Sequence, residues 1–256
     1  MTTPTLTSAK SFNLNKGGTA GSFYDATLTG VAKYVQAHIA PLPTLPVGIT
    51  GDTLVASSAA TNATLYGGAG NDSLVALGTN NMLVQKQSAG HDTLVGNSTT
   101  TFVLGSASLL GNNSLVGAGN NTLKISAAGS INDSFDKVSG VQTVSLVGSS
   151  SATLGANATA AGINTVITGN GTTTINASNL AGGVTINASA NTTKASTLIG
   201  STSAGDAFIL SNSKVLGKSS IVGGNTGTDG LQIKAASGAI SDTVFAHVSG
   251  VEVLSL

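Results

Sequence analysis

The chain has no cysteine, no tryptophan and no arginine, and only 8% of its 256 residues are charged. Without cysteine there are no disulfides, no thiolate catalysis and no Cys-ligated zinc. Ten lysines balance ten acidic residues, so no basic face is available for phosphate, and nucleic-acid binding is excluded. No apolar run approaches the roughly 18 residues of a membrane span, and insertion is not expected. The N-terminus, Met1-Thr2-Thr3-Pro4-Thr5, lacks the basic and apolar segments of a cleavable signal peptide, so export would take a route not written at that end. Globular domains usually carry about 25% charged residues; here Thr, Ser, Asn and Gly must cover the surface instead. Hydrophobic residues make up 40%, enough to build a core and to argue against disorder. The composition is that of an ordered, β-rich protein with a neutral surface.

Proline is also absent after Pro46, and this divides the chain. Residues 1–48 hold all four prolines (Pro4, Pro41, Pro43, Pro46) and four of the nine aromatics (Phe12, Phe23, Tyr24, Tyr34). Within them Val31, Tyr34, Val35, His38 and Ile39 fall at helical spacing and suggest one short helix over 30–40, although their β-branched content suits a strand nearly as well. The run Pro41-Leu42-Pro43-Thr44-Leu45-Pro46 is expected to be an extended connector, because each proline restricts its predecessor.

From residue 49 the chain repeats. Gly67-Gly68-Ala69-Gly70-Asn71-Asp72-Ser73-Leu74-Val75 follows the nonapeptide order Gly-Gly-x-Gly-x-Asp-x-apolar-x, a glycine turn leading into a short strand. Weaker copies follow as short apolar pairs: Leu54-Val55, Leu65-Tyr66, Leu74-Val75, Leu83-Val84, Leu94-Val95, Val103-Leu104 and Leu115-Val116. Leu54, Leu74, Leu94 and Leu115 lie 20, 20 and 21 residues apart, and Asp52, Asp72 and Asp92 keep a period of 20. Two strand-turn units per period predict an all-β, parallel β-solenoid (β-roll or β-helix) of about 20 residues per coil, roughly ten coils in all. A single coil cannot bury its apolar face, and stacking at about 4.8 Å solves this.

A larger repeat overlies the small one. The segment 123–146 returns at 231–256, and the shared Val-Ser-Gly-Val (Val138–Val141 and Val248–Val251) is displaced by 110 residues. The domain reading is an atypical N-terminal cap or inter-subunit segment at 1–48, followed by a solenoid at 49–256 with an internal duplication.

The nonapeptide at 67–75, the motif at 242–256 and the stretches from Thr153 and Thr172 together resemble the long repeat proteins of bacterial surfaces, including S-layer proteins and large adhesins of the RTX-like group. The resemblance covers roughly 50–256. It implies an extracellular or cell-surface bacterial location and bound calcium between glycine turns. Asp72 stands in a full motif, and Asp52 and Asp92 would lie one coil to either side of it, so these three are the candidate Ca²⁺ ligands; Asp206 and Asp229 are weaker candidates. The turn Gly117-Ala118-Gly119-Asn120-Asn121 has Asn in place of the carboxylate. The competing reading is that these Asp residues bind turn N–H groups, as Asn would.

Catalysis is not expected. His38, His91 and His247 are scattered, Asp133, Asp136 and Asp242 lie in the duplicated element, and no Arg is present to stabilise an anion. Thr99-Thr100-Thr101 and Thr172-Thr173-Thr174 suggest a threonine array for ice or carbohydrate, but sequence spacing does not place Thr at one position in successive coils. Solenoid ends are open strand edges, and a head-to-tail contact between such ends does not close. The expected role is therefore a structural subunit of an extracellular bacterial assembly, such as a filament, sheath or S-layer. Such a subunit would be a homo-oligomer, with a cell-surface polysaccharide as an admissible partner. The alternatives are a calcium-binding RTX-like adhesin module and a carbohydrate-active β-helix.

Overall fold

A computed structural model describes residues 5–6, 11–13, 25–28, 34–36, 53–56, 58–68, 70–86, 90–235 and 240–256. The chain forms two compact units, one of residues 1–124 with 137–141 and one of 125–136 with 142–256. All strand pairs within them are parallel. The architecture is a β-solenoid of about 9 turns, with roughly 21 residues per turn.

The first unit contains a sheet of seven strands. In order these are Thr5–Leu6, Asp25–Leu28, Thr53–Ala56, Ser73–Ala76, Thr93–Gly96, Ser114–Gly117 and Val138–Ser139. A second parallel series runs through Ser11–Asn13, Tyr34–Gln36, Thr64–Tyr66, Met82–Gln85 and Thr101–Leu104. Leu54, Leu74, Leu94 and Leu115 are register partners in successive strands, and each is fully buried. The spacing of 20, 20 and 21 is thus one residue file seen edge-on in the sequence. Alternation does the rest: Thr53, Ser73, Thr93 and Ser114 face outward while the residues after them face in. Burying each leucine contributes about 1.5–3 kcal/mol.

The helix expected at 30–40 is not formed at its centre, where Tyr34–Gln36 is a strand paired with Thr64–Tyr66. The physical reason is that Val31, Tyr34 and Val35 satisfy both periods, and a parallel neighbour gives the backbone a ladder. The Pro41–Pro46 connector lies outside the described residues, as does most of 1–48.

The second unit contains a sheet of six strands: Ser130–Asn132, Ser151–Thr153, Thr173–Asn176, Ser196–Ile199, Ser220–Val222 and Val248–Ser249. A second series comprises Thr143–Ser145, Thr165–Ile167, Thr185–Ala188, Ala207–Asn212, Gly230–Ala235 and Val253–Ser255. The inward file Val144, Val166, Ile186, Phe208 and Leu231 is buried throughout. Two short helices, Ala156–Ala161 and Ser213–Leu216, occupy corners of this unit. Asp133 holds the first of them, accepting N–H bonds from Gly155 (2.9 Å), Asn157 (3.0 Å) and Ala158 (2.9 Å). Asn212 caps the second by accepting from Val215 N–H at 3.0 Å. The repeated Val-Ser-Gly-Val places Gly140 at φ 64° and Gly250 at φ 62°. Both copies therefore use the same left-handed turn.

Candidate functional site

Asp72 and Leu74 are two residues apart, and in a strand that spacing puts both on one face. Because Leu74 points into the core, Asp72 does too, and it is 2% exposed. The same offset applies to Asp92 before Leu94, Asn113 before Leu115, Asp206 before Phe208 and Asp229 before Leu231. All five polar residues are buried. Five coils therefore open their inward face with a polar side chain, whereas the coil of Ile186 opens with the apolar Val184.

Buried polar groups must be hydrogen-bonded, and these bond along the stack. In the first unit Asp72 N–H donates to Asp92 Oδ1 at 2.7 Å, and Asp92 N–H donates to Asn113 Oδ1 at 2.8 Å. In the second unit Val184 N–H donates to Asp206 Oδ1 at 2.7 Å and Asp206 N–H to Asp229 Oδ1 at 2.7 Å, while Asp229 N–H donates to Glu252 Oε2 at 2.8 Å. The second carboxylate oxygen reaches back into the residue's own turn. Gly68 N–H donates to Asp72 Oδ2 (2.7 Å), Ser201 N–H to Asp206 Oδ2 (2.7 Å) and Gly224 N–H to Asp229 Oδ2 (2.8 Å). Asp92 Oδ2 instead accepts from the Gln85 side-chain amide. Each rung ties its own turn to the preceding coil.

A parallel amide ladder stands at the second strand series of the first unit. Ala63 N–H donates to Asn81 Oδ1 and Thr100 N–H to Asn121 Oδ1, both at 2.8 Å. Asn81, Thr100 and Asn121 again precede inward residues, Leu83, Phe102 and Leu123, by two.

The glycines give these turns their proximity. Gly90 has φ 115°, and a Cβ there would lie 1.7 Å from the carbonyl oxygen of Gly70 in the neighbouring coil. Gly200 leaves room for the Asp206 carboxylate, whose Oδ2 would be 2.1 Å from an added Cβ.

Burial raises the Asp92 carboxyl above its ordinary range, opposed by the Asp72 N–H, the Gln85 amide and His91. Asp206 is raised by burial too, against the Val184 and Ser201 N–H bonds and with the Asp229 charge pushing the same way.

Of the three candidate calcium ligands, Asp52 lies outside the described residues. Asp72 and Asp92 are brought together in successive coils, one above the other, as their period requires. Their carboxylates accept from the Gly68 and Asp72 N–H groups and the Gln85 amide, and the third rung is the amide Asn113. Among the described residues no group of three or more His, Asp or Glu is placed to hold a metal ion. Asp206 and Asp229 form a second ladder of the same kind. Glu252 completes it, a role that sequence spacing shows only once Leu254 is recognised as an inward position. Asp133 caps a helix. His91 lies on the turn surface, its N–H donating to Asn71 Oδ1 at 2.9 Å and its ring 3.0 Å from the Asn112 carbonyl.

One apolar site is left uncovered. Leu254 is the register partner of buried Leu231, yet it is 45% exposed, with Val253 at 49% and Leu256 at 68%. In the same coil Val248 pairs with Val222-side residues of Ser220–Val222, through Ile221↔Val248. The strands Val248–Ser249 and Val253–Ser255 stand last in the strand order of their sheets. Among the described residues each therefore has a strand neighbour on one edge only.

The chain matches no protein-family model, no curated protein and no solved structure.

Proposed function

We propose that the chain is a structural subunit of an extracellular bacterial assembly, a filament, sheath or S-layer, that associates through its solenoid edges. The observation that carries this reading is the exposed apolar strand Val253–Ser255, where Val253 and Leu254 are 49% and 45% exposed. Leu254 is the register partner of buried Leu231 yet is itself half exposed. An exposed apolar strand edge is a template for further pairing. A second copy would bury Val253, Leu254 and Leu256 by laying its own edge strand, Thr5–Leu6 or Ser11–Asn13, against this coil. That contact is heterologous and open, so repetition of it gives a linear array. The low charge of the chain leaves little repulsion to oppose it. The extracellular bacterial setting rests on the resemblance of the repeats to surface proteins. The direct test is sedimentation velocity over a hundredfold range of concentration. The weight-average sedimentation coefficient is expected to climb with concentration, and to stay at the monomer value in Leu254→Lys. A concentration-independent monomer in both would overturn the reading.

A further inference from the structure

The six-stranded sheet of the second unit carries an outward polar file that sequence spacing hides, because its coils differ in length. Ser130, Ser151, Thr174, Thr197 and Ser220 are register partners in five successive strands. All five side chains are outward, half-buried or exposed. The Ser151 hydroxyl donates to Ser130 Oγ at 2.7 Å, which shows how close neighbouring rungs lie. One step beyond Ser220, the register Ile221↔Val248 brings His247 to the same position. Hydroxyls thus give way to an imidazole at the end of the file.

At that end the surface is concave. A cavity of about 290 Å³ spans four coils, with Thr172, Thr197, Ser220, Lys218 and His247 among its walls. Lys218 is exposed, and its Nζ donates to the Thr193 carbonyl at 3.3 Å. Among the described residues, neither Lys218 nor the His247 ring is engaged by an acidic side chain. An ammonium group without a counter-charge is conspicuous in a chain with only ten lysines. Beside them, Ser220 and Thr197 present hydroxyl groups that both donate and accept.

We propose that this groove binds an acidic polysaccharide, with the carboxylate of a uronic-acid residue on Lys218 and His247 and neighbouring sugar hydroxyls on Ser220 and Thr197. Three features favour this ligand. The groove runs across coils rather than closing over, which suits a chain and not a small molecule. Its hydroxyls match a hydroxyl-rich partner, but exchanging water for sugar at such groups gains little net free energy. Binding therefore depends on the charge-assisted bonds, which are roughly twice as strong as neutral ones. Aromatic platforms are missing from its walls, so a neutral glycan has nothing to stack on. The proposal does not depend on self-association.

Affinity electrophoresis in native gels tests it, with polygalacturonate, neutral dextran or dextran sulfate cast in the gel. The chain should be retarded by polygalacturonate and should run freely through neutral dextran. Lys218→Ala and His247→Gln, both at exposed positions, should each weaken the polygalacturonate interaction by about tenfold, the loss expected for one charge-assisted bond. Thr143→Ala, on the other strand series, should leave it unchanged. Free migration of the unmodified chain in polygalacturonate would overturn the proposal. So would retardation that Lys218→Ala does not alter, or retardation by dextran sulfate as strong as that by polygalacturonate, since the last would reduce the groove to a reader of negative charge.

Discussion

A buried carboxylate must find donors or give up its charge, and in this chain backbone N–H groups supply them. Asp92 accepts from Asp72 N–H and from Gln85, while Asn113 does the equivalent work one coil on with an uncharged amide. Asp92→Asn should therefore keep the fold, whereas Asp92→Ala leaves the buried Asp72 N–H without its acceptor and should cost about 1–3 kcal/mol. The pH dependence follows from the direction of the shift. Asp92 and Asp206 have carboxyl groups raised by burial, so between the ordinary aspartate range and the raised value the folded chain binds more protons than the unfolded one. Their contribution to stability thus increases as pH falls through that window and is lost as pH rises through the folded value. Urea denaturation at pH 7 and near pH 4 should show Asp92→Asn gaining most, relative to the unmodified chain, at pH 7. A gain that is larger at pH 4 would contradict the assignment. Calcium bears on the same residues. With their oxygens directed at N–H groups, Asp72 and Asp92 should give no calcium heat in isothermal titration of EDTA-stripped protein at millimolar calcium. Heat that vanishes in Asp72→Asn would instead make them ligands.

At the scale of the element, each strand is short and stable only through its neighbours above and below. Phe208 shows how much one position carries: it is fully buried in register between Ile186 and Leu231. Phe208→Ala should cost about 3–5 kcal/mol, and hydrogen exchange should place the loss of protection in Thr185–Ala188 and Gly230–Ala235. Equal loss across Ser73–Ala76 would contradict this nearest-neighbour behaviour. Much of this level was legible in the sequence. The file Leu54, Leu74, Leu94 and Leu115 shows the period directly, because the coils of the first unit are nearly equal in length. The second unit was harder to read, since the helices Ala156–Ala161 and Ser213–Leu216 lengthen its turns and blur the spacing. The strand Tyr34–Gln36 was ambiguous because its apolar residues fit two periods. The inward direction of Asp72 had a signal, its offset of two from Leu74, but the nonapeptide pattern draws attention to the turn and away from the strand that follows it. The hydroxyl file ending at His247 had no sequence signal, because only the observed register aligns Thr174, Thr197 and Ser220.

At the scale of the whole molecule, the proposed association rests on the exposed apolar side chains of Val253, Leu254 and Leu256. The repeated element is buried in its first copy, with Val141 and Val144 fully enclosed, and exposed in its second, at Val253 and Leu254. The same sequence motif is thus interior in one copy and exposed in the other, where we propose that association occurs. The most direct measurement is negative-stain imaging of the purified chain beside its Leu254→Lys variant at equal concentration. Linear arrays of the unmodified chain and dispersed particles of the variant are predicted; dispersed single particles for both, or arrays that persist with lysine at 254, would contradict association through this edge.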